Sequence, residues 1–369
     1  MHILHISSWY PSEKEPFSGN FVKRHIELIS EKHKCTVLNF ISENGNEIKI
    51  QEEIINDNFI EITISYPKKN NKLIQLFHLR KAFKKVAKTL NGIDLIHGHV
   101  ILEKGILFLW AKNYFQKKLI ISEHASYFFK ENYQKLSIIQ KVFIVKNIKA
   151  ANAITCVSDV LEEEINYLFP RKKIEVIPNV IDRDLFQIKE QNDNEKIQFL
   201  HISTLEKVKN VDKIILAFEK LALVFTNFEL KIIAEKQNET IENQIKNSII
   251  SNKITLVGPF DSQKIAYELQ EASALVHFSS FETFSCVIAE AWSCGIPIVS
   301  SPVGIAKNMS PENGILVPNL DENSLADALQ KFCTEMKKYS SDLIRKSTEQ
   351  YSKGAVAKAF VNLYTQHLN

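Results

Sequence analysis

Glu282 and Glu290 stand eight positions apart, on either side of Thr283-Phe284-Ser285 and directly after the largely apolar run Ala274 to Phe278. A short apolar run bounded by polar residues reads as a strand of a buried parallel sheet. The polar turn then opens a helix. The first turn of a helix presents backbone N–H groups that lack intrahelical partners and point along the helix dipole, so it attracts anions. Glu290 falls about two turns along that helix and can approach a ligand lying beside it. Amides for a diphosphate next to carboxylates for ribose and sugar hydroxyls suit a nucleotide sugar. An ordinary amphipathic helix also carries two glutamates at this spacing, so the flanking residues decide the reading.

Those residues are Ala291-Trp-Ser-Cys-Gly295-Ile-Pro297-Ile-Val. The two glutamates followed by Gly295-x-Pro297 resemble the signature of the retaining glycosyltransferases of GT-B fold, family 4, also called group 1. The resemblance covers nearly the whole chain. Val176-Ile-Pro-Asn-Val-Ile-Asp182 with Phe186 resembles the segment entering the domain linker, Val257-Gly-Pro-Phe260 the base-binding turn, and Tyr351 to His367 the closing helix that returns to the first domain.

The resemblance implies a metal-independent transferase for a nucleoside diphosphate sugar, with a UDP-sugar favoured. Its acceptor would be a glycan or lipid-linked hydroxyl, in synthesis of a bacterial-type surface polysaccharide. Glu290 would bind ribose. Glu282 and the amides of Thr283, Phe284 and Ser285 would hold sugar and phosphate, with Phe260 beside the base. Lys209 would neutralise the departing diphosphate. His124, in Ile-Ile-Ser-Glu-His-Ala after a strand, matches the loop histidine that meets the donor, although Ala125 replaces the usual glycine. Gly19 matches the glycine of the first loop, where the lack of a side chain admits a phosphate. His99 resembles a strand-end histidine of the cleft.

Three departures accompany these matches. The family arginine before the phosphate-binding lysine reads Thr204, the glycine after Lys209 reads Asn210, and Lys231-Ile-Ile-Ala-Glu-Lys236 lacks the usual glycine-rich turn. One of two phosphate clamps is therefore missing. Other patterns mislead. Asp182-Arg-Asp184 has the D-x-D form of metal-binding transferases but lies in the linker. His97-Gly-His99 lacks a neighbouring cysteine or carboxylate to complete a metal site. Cys286 and Cys294 have no second pair and read as packing residues. The chain contains neither G-x-G-x-x-G nor a Walker A sequence, which argues against NAD and ATP sites.

Elements that could position these residues recur in two blocks. Met1 to Ser7, the helical spacing of Phe21 to Ile29, and Cys35 to Phe40 give strand, helix, strand. Strand-like runs follow at Leu95-Ile96, Lys118 to Ser122, Ala153 to Val157 and Ile174 to Ile177. After a polar linker, Lys189 to Lys196, the second block runs through Gln198 to Ile202, Glu229 to Ile233, Ile254 to Val257, Ala274 to Phe278 and Pro297 to Ser300. Alternating strands and helices predict two doubly wound Rossmann-like α/β domains, residues 1–186 with 354–369 and residues 187–353, and a site beyond the carboxyl ends of the strands.

Composition bounds the class. The 369 residues are 45% hydrophobic and 24% charged, as in soluble globular proteins. No run approaches the ~20 apolar residues of a membrane span, and the N-terminus lacks a signal-peptide pattern. Five scattered cysteines fit reduced thiols in a cytoplasmic protein. Residues 1–180 carry 26 Lys and Arg against 19 Asp and Glu, whereas the remainder carries 20 against 24. The basic half faces an anionic partner in this reading, and no nucleic-acid motif accompanies it. Within it, Lys68 to Lys88 contains no acidic residue and repeats Leu76, Leu79, Phe83, Val86 and Leu90 near helical spacing. Such a helix lies either on the inner face of a membrane or against the core with its lysines in water. Two further functions share the architecture: a nucleotide-sugar epimerase, and a degenerate sugar-binding protein suggested by Thr204.

Overall fold

The computed structural model describes residues 1–12, 18–189 and 196–368. Residues 190–195 of the expected linker, and Pro16 and Phe17 before Gly19, lie outside the described residues. Fourteen strands are present among the described residues: β1 His2–Ser7, β2 Lys34–Glu43, β3 Lys49–Asn56, β4 Phe59–Pro67, β5 Leu95–His99, β6 Lys118–Glu123, β7 Ala153–Cys156, β8 Ile174–Val176, β9 Ile197–Ser203, β10 Phe228–Ala234, β11 Ile254–Val257, β12 Ala274–His277, β13 Ile298–Ser300 and β14 Gly314–Leu316. The chain forms two compact units, Met1–Val180 joined by the stretch from Val356, and Ile181–Ala355.

The first unit holds an eight-stranded sheet in the order β3-β4-β2-β1-β5-β6-β7-β8. Every pairing is parallel except the β3–β4 hairpin. That hairpin is absent from the sequence reading: β3 is an edge strand with mostly exposed residues, so no apolar run announces it. The helix Asn20–Ser30 buries Val22, His25, Ile26 and Ile29 at helical spacing. The helix Lys353–Leu368 buries Val356, Phe360, Leu363 and Tyr364 in the core with Ile3, Val22, Ile26 and Val37. Each large side chain so buried contributes about 1.5–3 kcal/mol.

The second unit is a wholly parallel six-stranded sheet, β11-β10-β9-β12-β13-β14. Strand order reverses direction at two places, between β1 and β5 and between β9 and β12. In open α/β sheets such a switch leaves a crevice beyond the strand ends, because the helices on either side depart to opposite faces. The loops that follow β9 and β12 carry Lys209 and Glu282.

The helix Lys72–Ala87 resolves the reading of the basic stretch in part. Its Leu79, Phe83 and Val86 are buried, so this half turns its apolar stripe to the core and its Lys81, Lys84 and Lys85 to water.

Candidate active site

In the second unit the loop after β12 folds back on the loop after β9. Lys209 Nζ lies 2.6 Å from Glu282 Oε1. The same oxygen accepts from Ser279 Oγ at 2.8 Å and lies 3.2 Å from His277 Nε2. Burial pushes the Glu282 carboxyl up, but the hydrogen bond and charge of His277 and then of Lys209 outweigh it and hold the group at about 2. Glu282 is therefore an anion at neutral pH. A carboxylate with one oxygen anchored in this way can accept sugar hydroxyls without reorganising.

The backbone of this loop is demanding. Ser285 has φ +73° and caps the helix Cys286–Ser293. Its Oγ lies 3.3 Å from His277 Nε2. Phe284 turns its ring into the core, edge-on to Tyr351 at 5.3 Å. Its backbone oxygen accepts from Ile305 N at 3.0 Å. Gly304 makes that approach possible: a Cβ there would lie 2.4 Å from Phe284 O and 3.2 Å from the Glu282 Cβ. Thr283 begins the same turn. Glu290 is 7% exposed on the helix, one turn beyond its start.

The departure at Asn210 has a physical explanation. Asn210 adopts φ +48°, a left-handed conformation that asparagine tolerates better than most residues. Its side-chain amide donates to Phe278 O at 2.9 Å and to Ser280 Oγ at 3.0 Å. Asparagine thus meets the backbone requirement of a glycine and also ties the Lys209 loop to the end of β12. At Thr204 the hydroxyl is buried without a partner among the described residues.

A depression of about 600 Å³ opens at the ends of β10 and β11, lined by Ala234, Gln237, Lys246, Leu256, Gly258 and Pro259. Phe260 follows it, half-buried, with Lys264 Nζ 5.7 Å from its ring centre.

In the first unit the expected residues sit in a different environment. His124 is 4% exposed just past β6, its ring 4.7 Å from Phe21 and 5.8 Å from His25. Burial, followed by the charge of His25, pushes its imidazole well below the usual range, against a smaller raising effect of Asn179. Gly19 has φ +69°, and a Cβ would strike Trp9 O at 2.3 Å. Its lack of a side chain therefore serves the approach of its own chain, where the sequence reading assigned that space to a phosphate.

His99 belongs to a buried imidazole layer with His5 and His97. His5 Nδ1 lies 3.2 Å from His99 Nε2. Sequence spacing missed His5, which parallel register sets opposite His97. The three rings bring possible ligand atoms within 4.8 Å of one another, but both nitrogens of His97 are engaged, with Tyr364 OH at 2.8 Å and Ser122 Oγ at 2.7 Å. Asp182 and Asp184 are ion-paired with Lys353 at 3.0 and 3.6 Å. The five cysteines are free.

The two Rossmann-like units with parallel sheets define the GT-B fold. The family model described as "Glycosyltransferase Family 4" matches residues 24–185, and that described as "Glycosyl transferases group 1" matches residues 182–350. The chain belongs to the group 1 glycosyltransferases of family 4. It is 31% identical to N-acetyl-alpha-D-glucosaminyl L-malate synthase of Bacillus anthracis over 42% of this chain and 43% of the relative. It is 21% identical to the phosphatidylinositol N-acetylglucosaminyltransferase gpi3 subunit of Schizosaccharomyces pombe over 66% of this chain and 54% of the relative. The chain thus spans about half the length of these two relatives. HepE from Anabaena, solved in complex with UDP and glucose, superposes with a TM-score of 0.76 at 15% identity, covering 99% of this chain and all of that one.

Proposed function

We propose that the chain transfers a sugar from a nucleoside diphosphate sugar, with UDP-sugars favoured, to a hydroxyl of a glycan or lipid-linked acceptor in surface polysaccharide synthesis, with retention of configuration and without a metal ion. The observation that carries this reading is the ionised Glu282–Lys209 pair at the switch point between β9 and β12. When a diphosphate enters, Lys209 exchanges its carboxylate partner for phosphate oxygens and stabilises the charge that grows as the glycosidic bond breaks. Glu282 then accepts sugar hydroxyls, Glu290 the ribose, and the depression beside Pro259 the base, with Phe260 at its rim. The turn Thr283–Ser285 presents its amides to phosphate. His124, held neutral, keeps a hydrogen-bonding role toward the transferred sugar. The acceptor oxygen attacks the anomeric carbon on the face from which the diphosphate leaves. The C–O bond to phosphate breaks as the new one forms, and a phosphate oxygen takes the acceptor proton.

HepE's complex with UDP and glucose supports the donor class. The relatives' names range from malate to phosphatidylinositol, and the acceptor proposed is the class that the sequence resemblance implies. The test is release of nucleoside diphosphate from UDP-sugars in excess EDTA, with and without acceptor. Transferase chemistry gives release that depends on acceptor and survives chelation. Release abolished by EDTA and restored by Mn²⁺ contradicts the metal-free mechanism. Epimerised donor without release identifies an epimerase, and binding without either reaction a degenerate sugar-binding protein.

A further inference from the structure

Two helices of the first unit begin with large apolar side chains in water. The helix Lys72–Ala87 exposes Leu73 by 78% and Phe77 by 65% in its first turns, although its second half is buried. The helix Ile138–Ala150 opens on Ile138 and Ile139, exposed by 80% and 82%. The two starts border one depression of about 870 Å³, lined by Lys72 from the first and by Ile138, Ile139, Val142 and Lys146 from the second, with Glu103 also in the lining.

These starts are built, not frayed. Asn71 accepts from the amides of Leu73 and Ile74. Ser137 and Gln140 form a reciprocal capping box. Capped turns hold their side chains in place, so the apolar groups are displayed in a fixed array. Contiguous exposed apolar surface with a polar rim marks an interaction site. Lys68, Lys69 and Lys72 flank the first start, and Lys135, Lys141 and Lys146 the second, against the carboxylates of Glu103 and Glu131.

We propose that this two-helix platform seats the protein on an anionic lipid surface. Leu73, Phe77, Ile138, Ile139 and Val142 enter the acyl boundary, and the lysines meet the phosphates above it. A second copy of the chain fits the face poorly, because an isologous contact would bring the lysine rims together. The platform deepens the reading of the acceptor as lipid-linked and rests on it for its purpose. It also moves the membrane contact from the lysine-rich half of the helix, Lys81 to Lys88, to its start and to a segment distant in sequence.

The full chain is sedimented with vesicles of phosphatidylcholine containing phosphatidylglycerol, and with vesicles of phosphatidylcholine alone. Native protein binds the anionic vesicles and is released by salt. The double variant Leu73→Glu, Ile139→Glu, with unchanged circular dichroism, binds them roughly tenfold more weakly or worse. Lys72→Gln with Lys146→Gln lowers binding and its salt dependence, and UDP affinity by calorimetry is unchanged in both variants. Absence of native binding at low salt, equal binding to both vesicle types, or equal binding by native and Glu variants overturns the proposal. So does a native dimer in ultracentrifugation that the Glu variants abolish while vesicle binding persists. Failure of the native chain to bind UDP with vesicle binding intact counts against the donor site and leaves the platform supported.

Discussion

Both sheets place histidines near the carboxyl ends of their strands, and they use them in opposite ways. In the first unit His5, His25, His97, His99 and His124 lie buried together, surrounded by one another, aromatic rings and hydroxyls. Desolvation keeps such a group neutral. In the second unit His277, as deeply buried, lies 3.2 Å from the carboxylate of Glu282, which also pairs with Lys209. The same side chain serves a neutral polar core in one place and an anion's support in the other, and what differs is a carboxylate. Of the two groups of buried histidines, the one in the second unit stands against an ionised carboxylate.

Lys209→Ala breaks this comparison most severely. It removes the cation that neutralises the leaving group, and kcat should fall about 100-fold with little change in thermal stability. A drop in melting temperature that accounts for the lost activity would make the pair structural instead. His277→Ala should cost about tenfold in kcat/KM, because Glu282 loses one of three donors to Oε1. His277→Gln, which keeps an N–H donor, should recover most of it. If Gln performs no better than Ala, His277 acts through packing alone.

Acid should separate the units. Burial holds His5 at about 3, helped by the charges of His2 and His25, and holds His25 at about 4 against the opposing hydrogen bond to the Pro178 carbonyl. An unfolded chain protonates its histidines near 6.5. Their contribution to stability is thus complete above about pH 6.5 and is lost as pH falls toward 4 and then 3. The contribution of Glu282, whose carboxyl is depressed to about 2, is complete above about pH 4.5 and is lost only below it. The second sheet has one comparable imidazole, His201, held at about 3 by burial. Between pH 6.5 and 4.5, amide exchange should accelerate in β1, β5 and β6 before β9 and β12. Simultaneous acceleration would show that the imidazole layer does not set the acid limit.

The smallest effect sharpens the charged side. Thr204→Arg offers the missing clamp at a site where a hydroxyl is buried without a partner among the described residues, and should tighten UDP binding about fivefold, or about 1 kcal/mol. A folded variant with no gain means another cation already fills the role.

Much of this was legible in the sequence where local chemistry and long-range order coincide. Apolar runs marked most of the strands, because parallel strands covered on both faces must be apolar. Glu282 and Glu290 could be named from the sequence because their motif is local to one loop and helix, and Lys209 because its own loop resembles the family's, whereas the Lys209–Glu282 pair spans 73 residues. His5 and His277 were missed, since each lies inside a strand and gains its partner only through sheet register or a returning loop. Gly304 was missed for a related reason: its need to be glycine comes from Phe284 O, twenty residues earlier in the chain. Asn210 looked like a loss until its left-handed backbone and its bonds to Phe278 and Ser280 gave it a purpose. The edge hairpin β3–β4 had no apolar signal to read.

The claim that the second unit holds the donor is tested most directly by calorimetric titration of UDP, in EDTA, into native protein and Glu290→Ala. A ribose contact through a buried carboxylate contributes about 1.5–3 kcal/mol, more than tenfold in affinity. The account predicts binding by the native chain and at least that loss in the folded variant. Equal affinities, or no binding by the native protein, would contradict it.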